Sequence, residues 1–124
     1  MGNWIYNRKG QAAAIDAGDC IYDRLGRCCA WISGNNIYNL KGKHIGWAEN
    51  GIYYDSNNKV IGFIRAHTGH LPSIPGMGGA PGMPGLGGRP GRPGFSGTLG
   101  RPCYGGWPNI LLEDYLSSVN DSID

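Results

Sequence analysis

The sequence predicts an all-β fold of four 16-residue β-hairpin repeats in a pseudo-four-fold up-and-down arrangement, followed by a Gly/Pro-rich extended tail and a short C-terminal helix. Three observations lead to this prediction. Turn-forming residues recur every 16 residues, and glycine recurs at every third position late in the chain. Tyrosine also recurs at a step of 16, at Tyr6, Tyr22, Tyr38 and Tyr54. A repeated pattern that can be buried specifies an architecture, so the chain gives more information about structure than about chemistry.

Each 16-residue unit predicts one hairpin. Asn or Asp follows each of these four tyrosines, and Gly or Asn stands three positions after that residue, as in Asn7-Arg8-Lys9-Gly10. Asn and Asp favour a type I turn, and the last residue suits the left-handed position of a G1 bulge. A second turn between units is marked by Gly18-Asp19, Gly34-Asn35 and Asn50-Gly51. Strands of about five or six residues fit between these turns, which gives eight strands.

Strict alternation along these strands predicts two faces. The residue before each Tyr and the bulky residue nine positions after that Tyr are expected to lie on the same face. The candidate core residues are Ile15, Trp31, Trp47 and Phe63. The tyrosines are expected on the opposite face, as a contact surface for the tail or a partner. Small residues recur on that face and predict a close approach there, at Ala14, Ala30, Gly46 and Gly62. A flat meander is the alternative, but it would leave two open edges.

From Gly76 to Gly100 glycine occupies every third position, and five triplets end in proline. This period is that of the polyproline II helix, and strict glycine at one position is typical of collagen. Nine triplets would span about 84 Å when straight. Three hypotheses compete: a flexible linker, a collagen triple helix that needs two more chains, and a polyproline II strand packed on its own domain. The last is preferred.

The C-terminal segment predicts a short amphipathic helix that docks on the hairpins or on a partner. Asn109 is a suitable N-cap, and Leu112, Tyr115, Leu116 and Val119 have helical spacing. We therefore divide the chain into a four-hairpin domain at 1–70, a Gly-X-Y tract at 71–103 and a docking segment at 104–124.

The segment Gly42-Lys43-His44-Ile45-Gly46-Trp47-Ala48-Glu49-Asn50-Gly51 and the strands after it resemble the bacterial 4-fold β-flower family. The resemblance covers most of the chain and implies four hairpin units with a period-three tail. In the family that tail resembles a Lys/Pro/aromatic run without glycine, which implies polyproline II packing instead of a triple helix. The resemblance implies no activity and no catalytic residue.

Composition and motifs indicate no catalytic, metal or cofactor site. A chain of 124 residues supports one small domain, and a net charge of +2 does not predict nucleic-acid binding. No signal peptide or transmembrane run is evident, so the cytoplasm is the default location and no membrane partner is expected. Cys20, Cys28, Cys29 and Cys103 are interpreted as small apolar side chains, and His67-x-x-His70 as a junction loop and not a metal site.

We therefore expect a non-catalytic structural or protein-interaction module that binds an unknown protein partner or associates with itself. Two alternatives remain open. A glycan or cell-wall binding module would expose its tyrosines in a row to stack on sugars. A collagen-like trimer would instead associate through the Gly-X-Y tract.

Overall fold

The computed structural model describes residues 3–65, 67–68, 79, 82, 84–88, 91, 93–98, 100–101, 106–108 and 110–121. Some predicted features lie outside these residues. They include the first tract glycine at Gly76, the His70 and Cys103 positions, and the proposed N-cap at Asn109.

Eight antiparallel strands form a closed barrel in chain order. The strands are β1 (Asn3–Tyr6), β2 (Ala12–Asp16), β3 (Cys20–Asp23), β4 (Cys28–Ser33), β5 (Asn36–Tyr38), β6 (His44–Glu49), β7 (Ile52–Asp55) and β8 (Val60–Phe63). The chain ends in helix α1 (Leu112–Asp121). Strand β8 returns to β1 through the pair Tyr6 and Phe63, which closes the sheet and removes the open edges of a flat meander. The predictions of an all-β fold and of a C-terminal helix are confirmed.

The turns within the four hairpins have one hydrogen-bonding scheme. The side-chain oxygen of Asn7 accepts the backbone N–H groups of Lys9 and Gln11 at 2.9 and 3.1 Å. Asp23, Asn39 and Asp55 accept the corresponding pairs in the other hairpins. Three turns end at a glycine with φ between 76° and 89°, and the fourth ends at Asn58 with φ 59°. Asn and Asp therefore shape these turns through local bonds that the sequence alone specifies.

The expected opposition of the two faces is wrong. Tyr6, Tyr22, Tyr38 and Tyr54 are buried in the same cluster as Ile15, Trp31, Trp47 and Phe63. The cause is a further β-bulge in each hairpin, in addition to the G1 bulge expected at the turn. The pairing of the two strands shifts by one residue directly before the Tyr. In the first hairpin Ile5 pairs with Ala14 while Tyr6 pairs with Ala12, which leaves Ala13 as the extra residue. Alternation reverses at that point, because a bulge places two successive residues on one side.

The sheet therefore has two apolar faces. We call the face that contains the tyrosines and Ile15, Trp31, Trp47 and Phe63 the tyrosine cluster. The other, the isoleucine cluster, contains Ile5, Ile21, Ile37 and Tyr53 with Leu112 and Leu116 of α1. The predicted stripe of α1 is thus packed on the barrel, since Tyr115 and Val119 also join this cluster. Within the part of the chain that is described, no helix has the length and apolar character needed to cross a bilayer.

Candidate interaction surface

Each of the four recurring tyrosines contacts a residue that follows β8 in the chain. Arg65 donates a hydrogen bond to the Tyr6 hydroxyl at 3.0 Å and lies over its ring. The Tyr22 hydroxyl donates to the Gly87 carbonyl at 3.4 Å. Tyr38 stacks on Phe95, and Tyr54 lies under the guanidinium of Arg101. The chain beyond β8 therefore contacts all four tyrosines.

The tract meets the second and third hairpins in the same way, nine residues apart. The backbone N–H of Gly87 donates to the Gly26 carbonyl at 2.7 Å, and that of Ser96 donates to the Gly42 carbonyl at 2.8 Å. A Cβ atom on Gly26 would lie 2.2 Å from the Gly85 oxygen, and one on Gly42 would lie 2.1 Å from the Gly94 oxygen. Both turn glycines thus have a positive φ and also admit the tract backbone at close range.

The third hairpin has the most extensive described contacts with the tract. The rings of Tyr38 and Phe95 are 4.1 Å apart and nearly parallel, at 8°. The Ser96 hydroxyl accepts the backbone N–H of His44 at 3.0 Å. An aromatic stack and two hydrogen bonds therefore position the tract at residues 95–96.

At the fourth hairpin the tract contacts the barrel through the side chain of Arg101. Its guanidinium lies 5.3 Å from the ring centre of Trp47 and 4.9 Å from that of Tyr54. It also donates to the Asn58 side-chain oxygen at 2.8 Å and pairs with Glu49 at 2.8 Å. Five planar donors allow arginine to combine stacking with such directed bonds, so Arg101 fixes the tract where the turn has Asn in place of Gly.

The described every-third glycines of the tract have the side on which a Cβ would stand directed away from the barrel. A Cβ atom added at any of the described ones would meet no heavy atom within 4 Å: Gly79, Gly82, Gly85, Gly88, Gly91, Gly94, Gly97 and Gly100. None of them has a positive φ. Neither packing on the barrel nor backbone conformation therefore requires glycine at these positions.

Helix α1 lies across the end of the barrel where the four within-hairpin turns lie. The Asn7 amide donates to the Glu113 carboxylate at 3.1 Å, and the Asn39 amide donates to the Val119 carbonyl at 3.1 Å. At the fourth turn the Tyr115 hydroxyl accepts the backbone N–H of Ser56 at 3.2 Å. Asn7 and Asn39 thus shape their own turns through Oδ1 and hold α1 through Nδ2.

In the second hairpin Asp23, like Asp55 in the fourth, replaces the asparagine and has no amide to donate. Its carboxylate instead accepts Arg27 at 2.9 Å. A groove of about 510 Å³ lies between this turn and α1. It is lined in part by Arg24, Leu25 and Cys29 of the hairpin and by Leu116 and Asn120 of α1. Asn120 of α1 donates to the Cys29 carbonyl at 2.8 Å, so the helix bonds the strand of this hairpin and the groove lies beside the turn.

A family model described as "4-fold beta flower protein" matches residues 3–116. The chain belongs to the 4-fold beta flower family. The resemblance expected from the Gly42–Gly51 segment is thereby confirmed. Comparisons with curated proteins and with solved structures find no match.

The described cysteines of this β-flower protein lie in the two strands of the second hairpin, at Cys20, Cys28 and Cys29. Cys20 is fully buried in the tyrosine cluster. Burial, with a contribution from Asp23, raises the pKa of Cys29 to about 12, so this thiol is protonated at neutral pH. Within the described ranges no three His, Cys, Asp or Glu side chains lie close enough together to hold a metal ion.

Three features of this surface did not emerge from the sequence. The sequence does not mark Arg101 as a tract anchor, because it stands in a Gly-Arg-Pro triplet like Arg89 and Arg92, and Phe95 is likewise one of several large side chains in the tract. The hydroxyl of Tyr53 donates to the Asp16 carboxylate, and its burial raises the Tyr53 pKa. The only sequence signal for that bond is that Tyr53 occupies the position of Ile5, Ile21 and Ile37.

A pH dependence is expected at the third hairpin. His44 is buried and packs edge-on against Trp47, and its ring lies 3.1 Å from the Asn36 side-chain oxygen. Burial lowers the pKa of His44 below its ordinary value of 6.5, so below that pH the unfolded chain binds more protons than the folded one. The free energy of unfolding should therefore fall as the pH falls from 7.5 to 5.

This expectation is tested by urea unfolding of the wild type and His44→Val across that pH range. Valine is the residue at the equivalent position of the fourth hairpin, Val60. The wild type should lose more stability than the variant, because all other titrating groups are shared. Equal losses would contradict a role for His44.

Proposed function

We propose that this β-flower protein is a non-catalytic protein-interaction module. In this proposal the four 16-residue hairpin repeats hold the Gly/Pro tract as a polyproline II strand and present its outer edge to a protein partner. The supporting observation is the spacing of the two equivalent hydrogen bonds, from Gly87 to Gly26 and from Ser96 to Gly42. Nine residues are three turns of a polyproline II helix, so each hairpin meets the same edge of the strand.

The same period places the every-third glycines on one edge. That edge is the one where an added Cβ meets no atom of the barrel. Without side chains, a second backbone can approach closely and bond the exposed peptide groups. A strand that is already ordered also loses less conformational entropy when a partner binds than a flexible linker would.

The glycan-binding alternative has less support. Stacking on sugars requires exposed aromatic rings, whereas Tyr6, Tyr22, Tyr38 and Tyr54 are between 1% and 8% exposed. A titration with oligosaccharides derived from bacterial cell walls, followed by tryptophan fluorescence, is expected to give no saturable change. Saturable binding would favour that alternative over the proposal.

The collagen-like alternative predicts a different mass. A tract bonded to its own barrel cannot wind along its full length with two other chains. Light scattering on the purified chain at micromolar concentration should therefore give the mass of a monomer. A trimer that depends on the tract would contradict the proposal.

The proposal itself is tested by changing the glycine edge without changing the barrel. Gly88→Ala, Gly91→Ala and Gly97→Ala can be combined, since none of the added methyl groups meets the barrel. The stability of this variant should match that of the wild type within about 0.5 kcal/mol. Affinity capture with quantitative mass spectrometry should then recover a protein that the wild type retains and the variant loses.

The matched control for this capture is Lys41→Ala, a substitution at the exposed tip of the third turn. A protein captured by the wild type should be titrated in purified form against all three chains. Equal affinity for the wild type and the glycine-edge variant would contradict the role of the tract.

A further inference from the structure

We propose that the tip of the second hairpin binds a protein segment that combines a bulky apolar side chain with a carboxylate. This inference rests on the proposed function, because it names a contact surface and the chemistry of a protein partner. The surface consists of Arg24, Leu25, Leu86 and the cavities on either side of them; we call it the leucine patch.

The two large hydrophobic side chains that are exposed among the described residues belong to this turn and to the tract segment that crosses it. Leu25 is 71% exposed and Leu86 is 39% exposed. They are neighbours because the tract crosses the second turn at Gly26. There Gly87 donates to the Gly26 carbonyl, and the Leu86 Cα lies 3.5 Å from where a Cβ of Gly26 would stand. Single exposed leucines are ordinary, so the contact surface is indicated by the two cavities that Leu25 and Arg24 both line.

Comparison within the molecule shows that Leu25 departs from its own repeat. At the position of Leu25 the other three turns carry Lys9, Lys41 and Asn57, which are polar. Nine residues after Leu86 stands Phe95, which is also apolar and packs its ring on Tyr38. The turn therefore has an exposed leucine where its equivalents are polar, and the tract residue that crosses it, Leu86, is exposed as well.

Space for a side chain is present on both sides of the leucine patch. The 510 Å³ groove toward α1 is lined by Arg24 and Leu25 and, deeper, by Leu40 and Leu116. A second cavity of about 490 Å³ is lined by Trp4, Arg24, Leu25 and Gly82. Clefts with apolar walls and few polar groups are the usual shape of a binding site, and either volume accommodates a large apolar side chain.

The charge of the leucine patch indicates which chemical group a bound segment should carry. In the groove Asp23 is paired with Arg27, and Glu113 accepts the amide of Asn7 and keeps its negative charge. The second cavity is lined by Trp4, Arg24, Leu25 and Gly82, so there Arg24 faces no described acidic side chain. Arg24 lines both cavities and has no carboxylate partner among the described residues. A bound segment that brings a carboxylate would satisfy this cation with a bidentate hydrogen-bonded pair. A second copy of the chain is a poorer occupant, because a symmetric contact would place one Arg24 against the other.

The test uses a display library of random 12-residue peptides, selected on the full chain and counter-selected on Leu25→Lys. Lys9 and Lys41 occupy the equivalent position in two other turns, so lysine is compatible with this turn and the variant should fold. Enriched peptides are expected to combine Asp or Glu with Leu, Ile, Phe, Trp or Met. No enrichment, or enrichment of peptides without acidic residues, would overturn the inference.

Two variants quantify the contact with an enriched peptide by fluorescence anisotropy. Leu25→Lys and Arg24→Glu should each weaken binding about tenfold or more, as expected for residues at the centre of an interface. Lys41→Ala, on the equivalent tip of the third turn, should bind like the wild type. Unchanged binding by Leu25→Lys and Arg24→Glu would refute the assignment.

Two further results separate this inference from its rivals. A dimer that forms at tens of micromolar and dissociates in Leu25→Lys would identify a second copy as the occupant and overturn the inference. A partner protein captured through the glycine edge and retained by Leu25→Lys would leave the proposed function standing while the inference fails. A partner that is lost both by Leu25→Lys and by the glycine-edge variant, and that binds through an acidic apolar segment, would support both.

Discussion

Replacing Trp47 by alanine is expected to lower the free energy of unfolding by about 3–5 kcal/mol. The indole is 6% exposed and belongs to the tyrosine cluster. It packs against the ring of His44, and the Arg101 guanidinium lies over it. The substitution therefore removes apolar contacts and leaves a cavity, and it also removes the ring on which the tract is anchored at the fourth hairpin.

Urea unfolding followed by far-ultraviolet circular dichroism measures this loss without relying on the fluorescence of the deleted residue. Leu25→Ala is the control, because Leu25 is 71% exposed and should change stability by less than about 0.5 kcal/mol. A loss below about 1 kcal/mol for Trp47→Ala would contradict the burial of this ring. It would mean that the tyrosine cluster contributes little to the stability of the barrel.

The turns were predictable from the sequence because their causes are local. Asn7 and Asp23 bond backbone groups two and four residues away, so their identity and spacing are sufficient. The stripe of α1 was predictable for a similar reason, since its period follows from helix geometry. These features need no knowledge of the rest of the fold.

The face of the tyrosines was not predictable in the same way. The bulge at Ala13 and Ala14 depends on how two strands pair, and no residue type marks it as Gly10 marks the turn. The recurrent small residues were a partial signal of close approach. A Cβ on Gly46 would lie 2.1 Å from the Tyr54 carbonyl oxygen of the next hairpin, so the approaching group there is a neighbouring strand.

The match between tract and barrel depends on the period of the tract and on the spacing of the hairpin turns in the folded barrel. The three-residue period of the tract is visible in the sequence. The nine-residue step between its contacts is visible only in the structure, where Gly87 and Ser96 bond the carbonyls of Gly26 and Gly42. The groove beside α1 is a similar case, because its walls come from the second hairpin and from α1, which meet only in the folded chain.

Gly42→Ala is expected to destabilise the protein by about 3 kcal/mol and to loosen the tract. Part of this loss, about 1–2 kcal/mol, is the strain of an alanine at φ 89°. The rest arises because the new Cβ would lie 2.1 Å from the Gly94 oxygen. The tract must move away, which weakens the bond from Ser96 to Gly42 and the stack of Phe95 on Tyr38.

Gly18→Ala is the matched control that separates these two parts. Gly18 has φ 100°, but a Cβ there would meet no atom within 4 Å, so the substitution introduces strain without a clash. Urea unfolding should show a larger loss for Gly42→Ala than for Gly18→Ala. Thermolysin, which cleaves before large apolar residues, should cut at Phe95 faster in Gly42→Ala alone. Equal stability and equal cleavage in the two variants would mean that the third turn does not hold the tract, and the nine-residue match would then have no energetic basis.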